Sequence, residues 1–217
     1  MITLKEAQAE AGKVSTGNGK MPGSTFAVSA KACNVGGKLA QLKGSVCHKC
    51  YALKLQNLRP SVNTGWTNNL NKATRLIDSD PQRWVSFMAF QIRKAYEKTG
   101  EAYHRWFDSG DLQSPAMLAA ICEVARATPE IRHWLPTRET KIVKDFTGAI
   151  PNNLIVRISS PMVDDKPIAA WYWTSTVHSK ASEPVGHVCP ASKQGNACGS
   201  CRACWSDNVQ NISYPLH

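Results

Sequence analysis

The cysteines constrain this chain more than any other residue type. Seven of the eight fall into two groups with the spacing of metal ligands. Two intervening residues let a backbone turn so that neighbouring thiolates point at one centre. A metal-binding protein is therefore predicted, with two candidate ligand sets: Cys33, Cys47 and Cys50 in one, and Cys189, Cys198, Cys201 and Cys204 in the other.

The second set is dense enough to bind a metal alone. Its sequence, CPASKQGNACGSCRAC, places four thiolates within residues 189–204. Sulfur coordination of this kind suits either zinc or an iron–sulfur cluster. Structural zinc more often uses two separated C-x2-C pairs, whereas a C-x2-C-x2-C run is typical of bacterial ferredoxin ligation. We expect a cluster, with zinc as the alternative metal.

The first set has three cysteines, which would leave one iron of a [4Fe–4S] cubane open to a substrate or water. The spacing does not decide between one metal centre and two. If the chain ends meet, the pairs Cys47/Cys50 and Cys201/Cys204 form a single site instead. Cys122 lies in an apolar helical pattern, AMLAAICEVARA, and is predicted to be a buried core thiol.

Composition excludes several classes of protein. No apolar run approaches the roughly 18–20 residues that span a bilayer, and the sequence MITLKEAQAEAGK has no apolar signal-peptide core. We therefore expect a cytoplasmic protein without a membrane partner. Disulfides would need an oxidising compartment, which nothing in the sequence indicates.

The pattern of elements predicts an α/β fold in one domain spanning residues 1–217. Strands and helices alternate with short connections, which favours mostly parallel strands in an open sheet or a partial (β/α) barrel. The domain would comprise a first cysteine loop, strand–helix repeats that include a short helix around Lys166–Ala170, and a C-terminal cysteine loop; these span residues 24–60, 101–180 and 187–205.

Polar residues follow the predicted strands. The densest run is Asp108–Asp111, after the strand Tyr103–Phe107. In parallel α/β folds the carboxyl ends of the strands face one mouth, where ligands bind. Arg157 lies inside the apolar strand NLIVRIS and must pair or reach a cavity; Asp108 or Asp111 is the expected partner.

The charge is uneven along the chain. Residues 1–60 carry nine Lys and Arg against two acidic residues, within a net charge of +10. A basic half of this kind either contacts nucleic acid or is simply a solvated surface. The sequence has no lysine or arginine tract that decides between the two.

Three segments carry a resemblance to known proteins: CHKCYALKLQNLRPSV from Cys47, RWFDSGDLQSP from Arg105, and VCPAS with CGSCRACW near the C-terminus. From about Ser24 onward the chain resembles an uncharacterised family encoded in bacteriophage genomes, which implies the host cytoplasm as its location. More distantly, it is similar to radical S-adenosylmethionine enzymes, whose partial (β/α) barrel carries a three-cysteine loop after its first strand.

The second resemblance implies an oxidoreductase with a [4Fe–4S] cluster on Cys33, Cys47 and Cys50, and an auxiliary cluster on the C-terminal cysteines. It also implies an electron donor as partner. S-adenosylmethionine would bind Ser109, Gly110 and Asp111, with Arg157 as a further donor. Two other functions remain open: a zinc-stabilised nucleic-acid-binding module, and a purely structural cluster. The substrate is not indicated.

Overall fold

The computed structural model describes residues 2–17 and 19–216. Seven strands are described: β1 Ser24–Phe26, β2 Tyr103–Trp106, β3 Arg132–Thr137, β4 Leu154–Val163, β5 Thr174–His178, β6 His187–Val188 and β7 Asn211–Pro215. The α-helices are α1 Leu4–Ala11, α2 Asn34–Leu39, α3 Tyr51–Leu58, α4 Pro60–Ser79, α5 Pro81–Thr99, α6 Pro115–Ala127 and α7 Thr140–Lys144. Short 3₁₀ turns occupy Ala30–Ala32, Pro190–Lys193 and Ala203–Trp205.

The strands form one parallel sheet in the order β1-β2-β3-β4-β5-β7-β6. The first five strands are neighbours in chain order, with helices between β1 and β4. The predicted α/β fold with parallel strands is therefore confirmed, and the sheet is open rather than closed into a barrel. Because the strands are parallel, their carboxyl ends lie along one edge.

Local sequence signals account for the helix boundaries. The carboxylate of Asp80 accepts a hydrogen bond from the backbone N–H of Arg83 at 3.0 Å, and Pro81 occupies the first turn of α5. The helix ends at Gly100, which has a left-handed φ of 71°. Ser114 caps α6 in the same way, through the N–H of Met117.

One face of the sheet packs against the helices. Trp106 of β2 meets Trp84 of α5 with ring centroids 6.0 Å apart, and Phe26 of β1 meets both rings edge-on. Cys122 belongs to this core, as predicted, and is 1% exposed. Alternate residues of each strand point into this core because side chains in a strand alternate between faces.

The opposite face is covered by the C-terminal segment. Trp205 is 1% exposed and packs edge-on against Tyr103 of β2 and Trp134 of β3, at centroid distances of 5.4 and 5.2 Å. Its indole N–H donates to the backbone oxygen of His104 at 2.9 Å. The C-terminal cysteines are thereby fastened to the sheet.

The short helix predicted around Lys166–Ala170 is wrong. This segment is a loop and turn between β4 and β5. Asp164 takes a left-handed φ of 65° at the end of β4, and Ala170 takes one of 61°. The indole N–H of Trp171 donates to the backbone oxygen of Val156 at 2.9 Å, so tertiary contacts override the local helical preference.

Candidate functional site

The first three cysteines, which we call the N-terminal group, lie on the connection after β1. Cys33 precedes α2, Cys47 lies in a turn, and Cys50 precedes α3. Lys49 adopts a left-handed φ of 61°, and the N–H of Cys50 donates to the oxygen of Cys47 at 3.1 Å. This tight turn reverses the chain between the two cysteines.

Gly36 of α2 shows how close the sulfurs of this group are. A Cβ built on Gly36 would lie 3.5 Å from the Sγ of Cys47 and 3.8 Å from the Sγ of Cys33. The two sulfurs, fourteen positions apart in sequence, therefore face one small volume. A glycine keeps that volume free of a side chain.

The loop that carries the N-terminal group is anchored to the edge of the sheet. The N–H of Val35 donates to the carboxylate of Glu139, which follows β3, at 2.9 Å. The N–H of Val46 donates to the oxygen of Pro161 in β4 at 3.0 Å. The buried Gln56 of α3 accepts from the N–H of Ala30 at 2.9 Å. The loop is thus held in place without any ligand.

Burial dominates the electrostatics of the N-terminal group. It raises the pKa of Cys33 to about 12, and Asp111 and the neighbouring thiols act in the same direction. Burial also raises the pKa of Cys47, against the opposing effect of Arg138. Both thiols are neutral at neutral pH, so metal binding would release their protons.

Asp111 ties the ends of β2 and β3 together. Its Oδ1 accepts from the N–H of Leu112 at 2.8 Å and from the hydroxyl of Thr137 at 2.6 Å, and its Oδ2 accepts from the N–H of Arg138 at 2.9 Å. Burial raises its pKa to about 6, more than these hydrogen bonds lower it. Both carboxylate oxygens already have partners within the protein.

Gly110 and Ser109, the other members of the predicted acidic turn, contact the connection after β1. The oxygen of Ser109 accepts from the N–H of Val28 at 3.0 Å. Gly110 has a φ of 81°, and a Cβ there would lie 2.3 Å from a methyl group of Val28. Only glycine fits this close approach of two loops.

Polar atoms without a partner collect beside the N-terminal group. Asp108 Oδ1, Ser109 Oγ and Arg138 Nε are buried and accept or donate no hydrogen bond within the described part of the chain. Unsatisfied buried polar atoms are uncommon in proteins, and each one calls for an explanation. A bound ligand or ordered water at the carboxyl ends of β2 and β3 would satisfy them.

The last four cysteines form a separate cluster, which we call the C-terminal group. The N–H of Cys189 donates to the oxygen of Ser213 in β7 at 2.9 Å, and the N–H of Cys201 donates to the oxygen of Cys198 at 2.9 Å. Gly199 has a φ of 52° between these two cysteines. The N–H of Cys198 reaches back to the oxygen of Lys20 at 2.7 Å.

Two side chains touch the sulfurs of the C-terminal group. The hydroxyl of Tyr214 lies 3.3 Å from the Sγ of Cys204, and His187 Nε2 lies 3.7 Å from the Sγ of Cys201. Burial raises the pKa of Cys204 to about 12, and it also raises the pKa of Cys189 and of Cys198. Cys189 interacts electrostatically with the other three thiols, so the group is compact.

Arg157 pairs with neither aspartate, so the expected partner was wrong. The residue is fully buried, and its guanidinium donates to six backbone oxygens: those of Thr174, Ala203, Cys204, Ser206, Val209 and Gln210. The charge is solvated by the peptide dipoles of the C-terminal segment. Arg157 therefore lies under the C-terminal group and not beside the acidic turn.

Arg105 of β2 stands between the two groups. Its guanidinium lies over the ring of Trp134, 4.6 Å from the centroid. Desolvation raises the pKa of Tyr51, next to Cys50, and of Cys198 and Cys204 in the other group, and the charge of Arg105 opposes this rise at all three residues. Its Nε is buried and unpartnered in the described structure.

Sequence reasoning missed four residues of these sites: Arg105, Glu139, His187 and Tyr214. Glu139 could have been noticed because it lies two positions past the end of β3, next to Arg138. The contacts of His187 and Tyr214 depend on the pairing of β6 with β7, for which the sequence has no local signal.

The thiols of each group are neighbours but do not surround one point. Within residues 2–17 and 19–216, no three His, Cys, Asp or Glu side chains are arranged to hold a metal ion. A mononuclear zinc site needs Zn–S distances of about 2.3 Å to each sulfur.

Among the described helices, none is both long and apolar enough to cross a bilayer.

The comparisons with known proteins agree with the bacteriophage resemblance. The chain is 26% identical over 174 residues to the Gene 88 protein of Mycobacterium phage L5, covering 71% of this chain and 72% of that protein. No solved structure matches. Residues 3–207 match the family described as Gene product 88, and the chain therefore belongs to the Gene product 88 family of bacteriophage proteins.

Proposed function

We propose that this protein binds iron–sulfur clusters, with a [4Fe–4S] cluster at the N-terminal group and a second cluster at the C-terminal group. The observation that carries the proposal is the approach of Cys33 and Cys47 to one volume beside Gly36. Those sulfurs come from separate turns, in a loop anchored to the edge of the sheet. Three thiols in such a position match the chemistry of a cluster ligand set.

The spacing of the thiols favours a cluster over zinc. A single zinc ion draws all its ligands around one atom. A cubane distributes its cysteines over separate iron atoms, so its ligands are neighbours without converging. The C-x2-C-x2-C run of Cys198, Cys201 and Cys204 is typical of ferredoxin ligation and supports the second arrangement.

The two groups suit different roles. Three cysteines leave one iron of a cubane without a protein thiolate. In the loops nearby, Asp108, Ser109 and Arg138 have buried atoms with no partner in the part of the chain that the structure describes. This supports redox chemistry or cleavage of S-adenosylmethionine at the N-terminal group. The four thiols of the C-terminal group complete a ligand set, which supports an electron-carrying or structural cluster there.

Anaerobic purification followed by iron, zinc and sulfide analysis tests the proposal. The expected protein is brown, bleaches with dithionite, and contains about eight iron and eight sulfide per chain if both clusters are [4Fe–4S]. A colourless protein with stoichiometric zinc and no sulfide would overturn it. That result would favour the zinc-stabilised module with a nucleic-acid-binding surface.

Single substitutions separate the two centres. Cys50→Ala should remove the cluster of the N-terminal group and leave the other, whereas Cys201→Ala should do the reverse. Cys122→Ala is the matched control, because that thiol lies in the apolar core and should not affect iron content. Equal iron in all three variants would contradict the assignment.

Cleavage of S-adenosylmethionine is tested on the reduced protein. Formation of 5′-deoxyadenosine, lost in Cys50→Ala and retained in Cys201→Ala, would assign this chemistry to the N-terminal group. Its absence in a reduced protein with a full complement of iron would restrict the function to electron transfer or to a structural role.

A further inference from the structure

Helix α3, which begins directly after Cys50, presents an apolar stripe to solvent. Tyr51, Leu55 and Leu58 are 67%, 37% and 66% exposed. Positions i, i+4 and i+7 lie on one side of an α-helix, while Ala52 and Gln56 face the protein. The stripe is therefore a second, outward apolar face on a helix that already has a buried one.

The stripe is bordered by unpaired cations. Between Glu10 and Asp78 the chain has no acidic residue, so local partners are lacking. Lys54 lies on the same side of α3, three positions after Tyr51 and four before Leu58, and Lys49 and Arg59 flank the helix. These three exposed cations form no ion pair within the described chain.

Tyr51 fixes the position of this surface relative to the N-terminal group. Its hydroxyl donates to the backbone oxygen of Asp108 at 2.9 Å, which holds the exposed ring over the loop after β2. Cys50 is the preceding residue. A macromolecule that covers the stripe would therefore lie directly against the cysteine loop.

We propose that the stripe and its border, Tyr51, Leu55 and Leu58 with Lys54 and Arg59, are the docking surface for an acidic electron-donor protein. The inference rests on the proposed cluster at the N-terminal group. An apolar centre with a charged rim is the anatomy of a protein–protein interface. Transient redox complexes use small surfaces of this kind, and complementary charge speeds their association.

A nucleic acid fits the surface less well. Its phosphates would use the cations, but direct contacts to nucleic acid are predominantly polar and charged. Leu55 and Leu58 would remain in water or be desolvated against phosphate. An acidic protein with an apolar patch satisfies both features of the surface.

The test uses a reduced flavodoxin with a strongly negative net charge as the donor. Affinity is measured by fluorescence and cluster reduction by stopped flow, each at low and high salt. Both should weaken at least about tenfold as salt screens the charges. The variant Lys54→Glu/Arg59→Glu should lose about as much at low salt, and Leu58→Ser should weaken binding without changing the salt dependence.

The control is Lys98→Glu/Lys180→Glu, which changes the charge equally at exposed cations outside residues 31–59. It should keep most of the affinity. Equal losses in the two charge variants, or salt-independent binding, would overturn the docking surface. So would salt-dependent binding of a single-stranded oligonucleotide through Lys54 and Arg59 with unchanged donor affinity. Dithionite bleaching reports the cluster separately, so a failed docking surface and a missing cluster are distinguished.

Discussion

The two cysteine groups differ in how the protein surrounds them. The N-terminal group lies at the carboxyl ends of the strands, beside buried polar atoms that have no partner among the described residues. The C-terminal group lies against a sheet face. There Arg157 donates hydrogen bonds to the segment that carries the group, and Trp205 of that segment donates one to the sheet. One set has three thiols and the other four.

The N-terminal group is a site whose loop is held in place by anchors, whereas the C-terminal group is enclosed in a structural segment. Anchors at Glu139, Gln56 and β4 hold the first loop around its thiols, and Gly36 keeps a side chain out of the space beside two of them. The second segment is itself part of the structural cover of the sheet. Metal sites in proteins divide along the same line, since structural sites are closed and reactive sites keep a position open.

The largest effect is expected from Arg157→Met. The substitution leaves six backbone oxygens without their donor, and buried unsatisfied groups cost about 1–3 kcal/mol each before relaxation. The free energy of unfolding should fall by at least about 3 kcal/mol, as measured by urea denaturation. The C-terminal group should lose its iron first.

The control for that substitution is Arg132→Met, at an exposed position of β3. It should change the unfolding free energy by less than about 0.5 kcal/mol. Similar losses in the two variants would mean that the buried guanidinium does not fasten the C-terminal segment.

Removing one thiol from each group compares them directly. In the metal-loaded protein, Cys204→Ser should lower Tm by about 5–10 °C, because the ligand set fastens a segment that covers the sheet. Cys50→Ser should lower it by less than about 3 °C, because its loop has other anchors. The comparison is made by calorimetry with and without metal. If Cys50→Ser proves the more damaging variant, the closed site is the N-terminal one.

Asp111→Asn tests the junction between β2 and β3. The substitution puts an amide NH2 group where a carboxylate oxygen accepts a hydrogen bond. Two donors would then face each other, at a cost of about 1–3 kcal/mol. The raised pKa of Asp111, about 6, stabilises the wild type below pH 4, and this contribution is lost as pH rises through 6.

The loss of unfolding free energy caused by Asp111→Asn should therefore be largest near pH 4 and smaller at pH 7. Thermal unfolding of both proteins at these pH values measures it, with the exposed Asp207→Asn as the control. A deficit that grows with pH would place the pKa of this carboxyl below its usual value instead of above it.

The smallest effect on stability is expected at Gly36. Gly36→Ala and Gly37→Ala both replace a helical glycine with alanine. In a helix, alanine favours the folded state over glycine by about 0.5–1 kcal/mol. A methyl group at Gly37 meets open space, whereas at Gly36 it lies 3.2 Å from the Cβ of Cys33 and 3.5 Å from the Sγ of Cys47. Only Gly36→Ala should reduce the iron held by the N-terminal group, as seen in the electron paramagnetic resonance spectrum. Equal iron in both variants would place that cluster elsewhere.

Features with a local cause were predictable from the sequence. The cap at Asp80, the stop at Gly100 and the apolar strand around Val156 each depend on a few adjacent residues, and the structure places them where the pattern does. The division of the cysteines into two groups follows from spacing in the same way. Each C-x2-C pair brings two thiols together within four residues, and this spacing can be read from the sequence.

Features that depend on distant pairing were not predictable. The carbonyl partners of Arg157 lie 17–53 positions further along the chain, so an aspartate after the neighbouring strand was the nearest chemical guess. Tyr214 meets Cys204 because β7 inserts between β5 and β6. The helical pattern at Lys166–Ala170 was overruled in the same way, by the anchoring of Trp171.

The insertion of β7 also fixes an order of assembly during synthesis. β6 joins the sheet only through β7, so the segment that carries Cys189, Cys198, Cys201 and Cys204 has no edge to join until the chain has been made through Pro215. At about 5–20 residues per second, the ribosome completes the loop at Cys50 roughly 10–30 s earlier. The cell therefore meets the two sets of thiols at different times, the set that ends at Cys50 first and the set that ends at Cys204 later.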